Sequence, residues 1–133
     1  MQYILTYILT VVVFFIIDIG WIAGVANSFY WKHIGHLRAE NPNWLAAILF
    51  YTIFIGGLIF FCIKPAIEAN NFKTALLNGA LFGLITYATY DLTNQATLKN
   101  WPWIVTITDI AWGIFLCASV STVSFLLARK FIF

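Results

Sequence analysis

Four unbroken apolar stretches constrain this chain more than anything else in it. They begin near Tyr3, Trp44, Lys73 and Trp103, and each holds roughly 20 residues or more. At about 1.5 Å of rise per residue, a helix of that length crosses the roughly 30 Å of a bilayer's hydrocarbon. A membrane β-strand would show alternation over about ten residues. These runs are continuous, so helices are expected. Only 9% of the 133 residues are charged and 62% are hydrophobic, against about 25% charged in a soluble domain. Such a chain cannot cover a water-facing surface. The expected fold class is all-α: a polytopic membrane protein, a compact four-transmembrane-helix bundle. It forms one domain over residues 1–133, with helices over about 3–25, 44–63, 73–98 and 101–128. The first stretch lacks a basic leader and contains Asp18, so it reads as a retained helix and not a cleaved signal.

Punctuation between the stretches fits this division. Asn41-Pro42-Asn43 precedes the second helix. Lys64-Pro65 is expected to end it, because proline disfavours helical geometry in the residue before it. Asn100 is expected to cap the fourth helix, with Pro102 in its first turn. Four crossings place both termini on one side, with Lys64, Lys73, Arg129 and Lys130. Lys32, Arg38 and Lys99 fall on the other side. Four charges against three then favour cytoplasmic termini in the inner (cytoplasmic) membrane by the positive-inside rule, with dual topology, copies inserted both ways and paired antiparallel, as the alternative. A net charge of +2 gives no basis for nucleic-acid binding. Cys62 and Cys117 lie in separate apolar stretches without a Cys-x-x-Cys motif and read as small buried hydrophobes.

Three aspartates, Asp18, Asp91 and Asp109, interrupt this apolar background. Each costs roughly 2.5–3.5 kcal/mol at a membrane helix centre on insertion scales. Counted from the side of the first and third connections, Asp18 and Asp109 lie about 10 Å deep. Asp91 joins them at about 10 Å if its helix continues through Leu98. The third helix carries a stripe at helical spacing: Gly79, Gly83, Tyr87, Tyr90, Asp91 and Asn94. Its Gly79-x-x-x-Gly83 part allows close helix packing. An Asp-Ile-small-Trp string occurs twice, at Asp18–Trp21 and Asp109–Trp112. These residues define a candidate proton- or substrate-binding site. Asp18, Asp91 and Asp109 would hold protons or a cation, and Asn94 would orient a carboxyl. Tyr87, Tyr90, Trp21 and Trp112 would wall the site and offer cation–π faces.

The segment from Phe29 to Glu40 alternates apolar and basic residues and reads as a short amphipathic piece on the membrane surface. His33, His36 and Glu40 could share one helical face as metal ligands. Zinc needs three or four well-placed ligands, and Gly35 weakens a helix there, so no metal or other cofactor is expected. No glycine-rich phosphate loop and no Gly-x-Ser-x-Gly elbow occurs.

Several strings together resemble one bacterial family of small membrane proteins, catalogued as domain of unknown function 2177. They are Asn41-Pro42-Asn43-Trp44, Tyr87-Ala88-Thr89-Tyr90-Asp91-Leu92-Thr93-Asn94, Trp101-Pro102 and Asp109-Ile110-Ala111-Trp112-Gly113. The resemblance implies a four-helix membrane fold and brings no activity with it. On the residues alone, the leading expectation is a proton- or cation-coupled transporter or ion-translocating protein. A membrane-embedded enzyme or lipid-binding protein using paired carboxyls is the first alternative, and an accessory or assembly subunit the second. The expected partners are the lipid bilayer, a small cationic or lipid ligand, and a second copy in a homodimer that completes the pocket.

Overall fold

The computed structural model describes residues 1–133 and contains helices and no strands. Four long helices follow one another: α1 (Gln2–Leu37), α2 (Trp44–Ala69), α3 (Phe72–Thr97) and α4 (Trp103–Phe131). The Gln2 side-chain amide donates to the Ile132 carbonyl at 2.9 Å, and the Tyr3 and Phe133 rings meet edge to face. The termini therefore share one end of the bundle. The connections α1–α2 and α3–α4 share the other.

α1, α2 and α4 are both long and apolar enough to cross a membrane. α3 has the length, about 39 Å at 1.5 Å per residue. Its connection-end half is less apolar because Thr86, Thr89, Asp91, Thr93, Asn94 and Gln95 lie in it. Four of the threonines on α3 turn their hydroxyls back onto carbonyls of the preceding turn, which satisfies them inside the helix.

α3 and α4 form the tightest pair. A Cβ placed on Gly79 would lie 2.5 Å from the Cys117 carbonyl oxygen, and one on Gly83 would strike the Gly113 backbone. The two backbones touch where these glycines stand, as small residues allow in membrane helices. A core of Phe14, Phe54, Ile55, Leu58, Leu116 and Val120 fills the bundle centre. Ile63, Ala66, Ala75, Phe125 and Ala128 pack the terminal end. At the connection end the packing opens: no residue from Trp44 to Ile53 of α2 is buried.

Three local expectations need correction. The segment after Val25 is no separate surface piece. α1 passes through a π-helical turn at Ile22–Ala26 and continues as helix to Ile34, closing with a short 3-10 turn to Leu37. No proline interrupts these residues, and the wide turn absorbs the change of register, as π-bulges do. α1 is thus 36 residues long, about 54 Å, and overhangs its neighbours at the connection end.

Lys64-Pro65 likewise does not end α2, which runs on to Ala69 after a second π-helical turn at Ile59–Ile63. Pro65 lacks the N–H that would serve the carbonyl of Phe61 one turn earlier. The Asn78 side-chain amide of α3 donates to that carbonyl instead, at 3.0 Å. A neighbouring helix has made good the missing bond, which is how membrane helices tolerate proline.

Asn100 does not cap α4. It takes a left-handed conformation (φ 59°) in the connection, and Pro102 occupies the cap position. By contrast, Asn43 caps α2, accepting from Ala46 N at 3.1 Å, and Asn71 caps α3 through Lys73 N at 2.9 Å.

Candidate functional site

A closed polar chain fixes the connection ends of α3 and α4. The Gln95 amide donates to the Trp101 carbonyl at 2.9 Å. The Trp101 indole donates to Thr106 Oγ1 at 3.1 Å, and Thr106 donates to Gln95 Oε1 at 2.9 Å. Gln95 stands one turn beyond Asp91, and Thr106 one turn before Asp109. The chain therefore sets the two aspartates opposite each other. Asp91 is fully buried and Asp109 is 8% exposed, and their carboxyls lie within hydrogen-bonding reach. Neither Asp91 oxygen meets an N–H or O–H donor. Two carboxyls can bond to each other only through a proton held between them.

Asp109 also accepts a hydrogen bond from the Tyr30 hydroxyl on the continuation of α1. Asp18, 8% exposed, lies beside the Trp112 indole. The Trp21 and Trp112 rings stack with centroids 4.5 Å apart and planes 10° from parallel. Tyr87 lies flat against Gly113, where any side chain would collide with its ring. Tyr90 meets Trp101 edge to face at 6.1 Å.

These groups surround a pocket of about 730 Å³ at the connection end. Seven of the eight residues expected from the sequence line it: Asp18, Trp21, Tyr87, Tyr90, Asn94, Asp109 and Trp112. Asp91 does not; it sits behind Asp109, out of contact with the pocket. Phe14 and Tyr51 form the deep wall, where the pocket ends on the packed core. His33, His36 and Glu40 form no cluster able to hold a metal ion, because the chain turns out of helix between Ile34 and Arg38.

Sequence reasoning missed Tyr30 and Arg38. Both line the pocket, Tyr30 from α1 and Arg38 from the extended residue just after it. Tyr30 continues the spacing of four from Asp18 through Ile22 and Ala26, a face that holds only if the helix runs on past Val25; Arg38, beyond the helix end, carried no such signal.

A family described as predicted membrane protein (DUF2177) matches residues 3–126. The chain belongs to this family. The match covers all four helices, so the family resemblance seen in the Tyr-Asp-Leu-Thr-Asn string extends to the whole pocket. No curated protein and no solved structure matches the chain. The family's description names a membrane protein and no activity, so the site's chemistry has to be argued from its own residues.

Proposed function

We propose that this protein is a small proton-linked carrier for an amphiphilic cation. In this reading all four helices cross the cytoplasmic membrane, the termini are cytoplasmic, and the pocket faces the outer half. The observation that carries it is the arrangement of Asp91 and Asp109. One carboxyl is sealed from the pocket and has no donor, and the other touches both its partner and the pocket. Such a pair holds a proton until a cation arrives at Asp109. The cation then compensates the carboxylate charge, and the proton leaves through the pocket.

The surroundings suit this exchange. Fifteen of the 21 lining residues are hydrophobic, and the indole and phenol faces offer cation–π surfaces. A pocket open at one end and closed on a packed core is what an alternating-access carrier presents in one of its states. The titratable groups that line the pocket are the carboxyls of Asp18 and Asp109, four phenols and the Arg38 guanidinium, a set suited to holding a cation and a proton.

The test is pH-gradient-driven uptake in proteoliposomes, followed with two probes: ethidium, and an aminolipid with a fluorescent tail. Uptake of at least one probe by the wild type, lost in a folded Asp91→Asn variant, is the expected result. Equal uptake by both proteins refutes the proton link.

A further inference from the structure

The pocket contains one cation among its carboxyls. Arg38 lines the mouth, where its guanidinium lies 5.2 Å from the Trp31 ring centroid and donates a 3.3 Å bond to Asn27 Oδ1. It has no carboxylate partner; the chain's one ion pair is Lys64–Glu68, at the opposite end. Most of its five N–H donors are therefore free for an anion, and a guanidinium fork matches a phosphate two bonds at a time.

Asn27 and Tyr30 stand one helical turn apart on α1, and neighbours at that spacing are about 5–6 Å apart at Cβ. Asn27 holds Arg38, and Tyr30 holds Asp109. The positive and negative ends of the pocket are thus held by neighbouring residues of one helix. A simple cation on the aspartates would leave Arg38 unpaired beside it. A simple anion on Arg38 would face Asp18 and Asp109. A molecule carrying both charges suits both ends.

The apolar part of the occupant also has a place. No residue of α2 from Trp44 to Ile53 is buried, and Phe50, which lines the pocket, is 51% exposed on the side of the bundle. The pocket therefore opens sideways, where acyl chains can stay in the bilayer while the headgroup enters.

We infer that the pocket binds an aminophospholipid, with its phosphate on Arg38 and its ammonium on the Asp18–Asp109 face. The inference names the occupant of the site described above and rests on that reading only for the use of the pocket. The shared chemistry is an ammonium joined to a phosphate, and the lateral opening assigns it to a lipid over a soluble phosphoamine.

The test is lipid retention by the full-length protein. It is purified from nanodiscs of equal phosphatidylethanolamine, phosphatidylglycerol and phosphatidylcholine and read by native mass spectrometry. The wild type is expected to retain phosphatidylethanolamine about tenfold over the other two, a difference of about 1.4 kcal/mol. Arg38→Gln is expected to lose retention, Arg38→Lys to keep part of it, and Lys99→Gln, outside the pocket, to keep all of it. Asp109→Asn, or Asp18→Asn if the first fails to fold, is expected to lose the preference for phosphatidylethanolamine.

Retention unchanged in Arg38→Gln overturns the phosphate assignment. Equal retention of phosphatidylglycerol by the wild type overturns the ammonium assignment. Competition by soluble glycerophosphoethanolamine as strong as by the lipid overturns the lipid assignment. Probe uptake without lipid retention would sink this inference alone. Retention without a proton link would sink the carrier reading and leave the lipid site standing.

Discussion

Trp21 and Trp112 stack face to face, with ring centroids 4.5 Å apart and planes 10° from parallel. They are the last residues of the two Asp-Ile-small-Trp strings, on helices that run in opposite directions. Each serves the other's string. Trp112 reaches Asp18, while Trp21 reaches Tyr30, which donates to Asp109. The stack therefore locks two carboxyls from different helices onto one pocket. Aromatic pairs of this kind contribute about 0.5–1.5 kcal/mol beyond the area they bury. Two indoles so close couple their transitions, so the wild type should show an exciton couplet in its circular dichroism. Trp21→Phe and Trp112→Phe should each abolish the whole couplet. Loss of only half of it in either variant would show that the rings do not pair.

The α3–α4 contact makes a sharper claim about packing. A Cβ on Gly83 meets the Gly113 backbone, and one on Gly113 meets the Tyr87 ring, whereas one on Gly56 meets nothing within 4 Å. Overpacking of this sort costs about 1–3 kcal/mol. Gly83→Ala and Gly113→Ala should lower the midpoint of thermal unfolding in detergent. Gly56→Ala should hold or raise it, since alanine is favoured over glycine in a helix by up to about 1 kcal/mol. Only Gly113→Ala should also disturb the pocket, because only there is the obstructing atom a lining tyrosine. Three equal shifts would contradict the contact.

Much of this arrangement is legible in the sequence. The apolar runs are long and the choice of helix over strand follows from their continuity, so the four-helix fold was readable from residue order. Seven pocket-lining residues were readable too, because depth along a helix follows from counting. Two things were not. Which face a helix turns inward depends on its neighbours, so Asp91 could not be told from Asp109; only the structure sets one behind the other. Helix ends were read from local signals that tertiary contacts overrode. Pro65 looks like a stop until Asn78 supplies the missing bond from another helix. The residues after Val25 look like a surface segment until Tyr30 is seen bonded to Asp109, 79 positions away.

The Pro65 case can be tested as a pair. Asn78→Leu removes the donor that serves Phe61 O, and a backbone carbonyl left without a donor in the bilayer core, where no water can replace it, costs about 1 kcal/mol or more. Pro65→Ala restores a backbone N–H within the same helix. The single variant Asn78→Leu should be destabilised, and adding Pro65→Ala should recover a large part of the loss. The expected coupling lies between about 0.5 and 3 kcal/mol, the range found for residues that share a partner. Additive effects in chemical denaturation would show that Asn78 does not compensate for the proline.

The carboxyl pair has a spectroscopic signature. If Asp91 and Asp109 share a proton, the wild type should show a carboxylic C=O stretch in the infrared at neutral pH. Asp91→Asn should remove it, since the asparagine amide can donate to Asp109 without a shared proton. A spectrum with no carboxylic band between pH 5 and 9 would sink the shared proton.

The overhang of α1 depends on few contacts, and this makes its tether measurable. Beyond Ala26, no residue of α1 is buried. The bond from Tyr30 to Asp109 joins this part of the helix to α4. A hydrogen bond to a charged group contributes about 1.5–3 kcal/mol, while the bundle below is held by its own core. Tyr30→Phe keeps the ring and deletes only the donor. Amide hydrogen exchange should then speed up across residues 27–37 by roughly one to two orders of magnitude, the factor that 1.5–3 kcal/mol of local opening implies. Exchange in α3 and in the terminal half of α4 should not change. Acceleration spread evenly over all four helices would mean that Tyr30 supports the fold as a whole. No acceleration would mean that the overhang stands without the tether, and its place as a wall of the pocket would then need another cause.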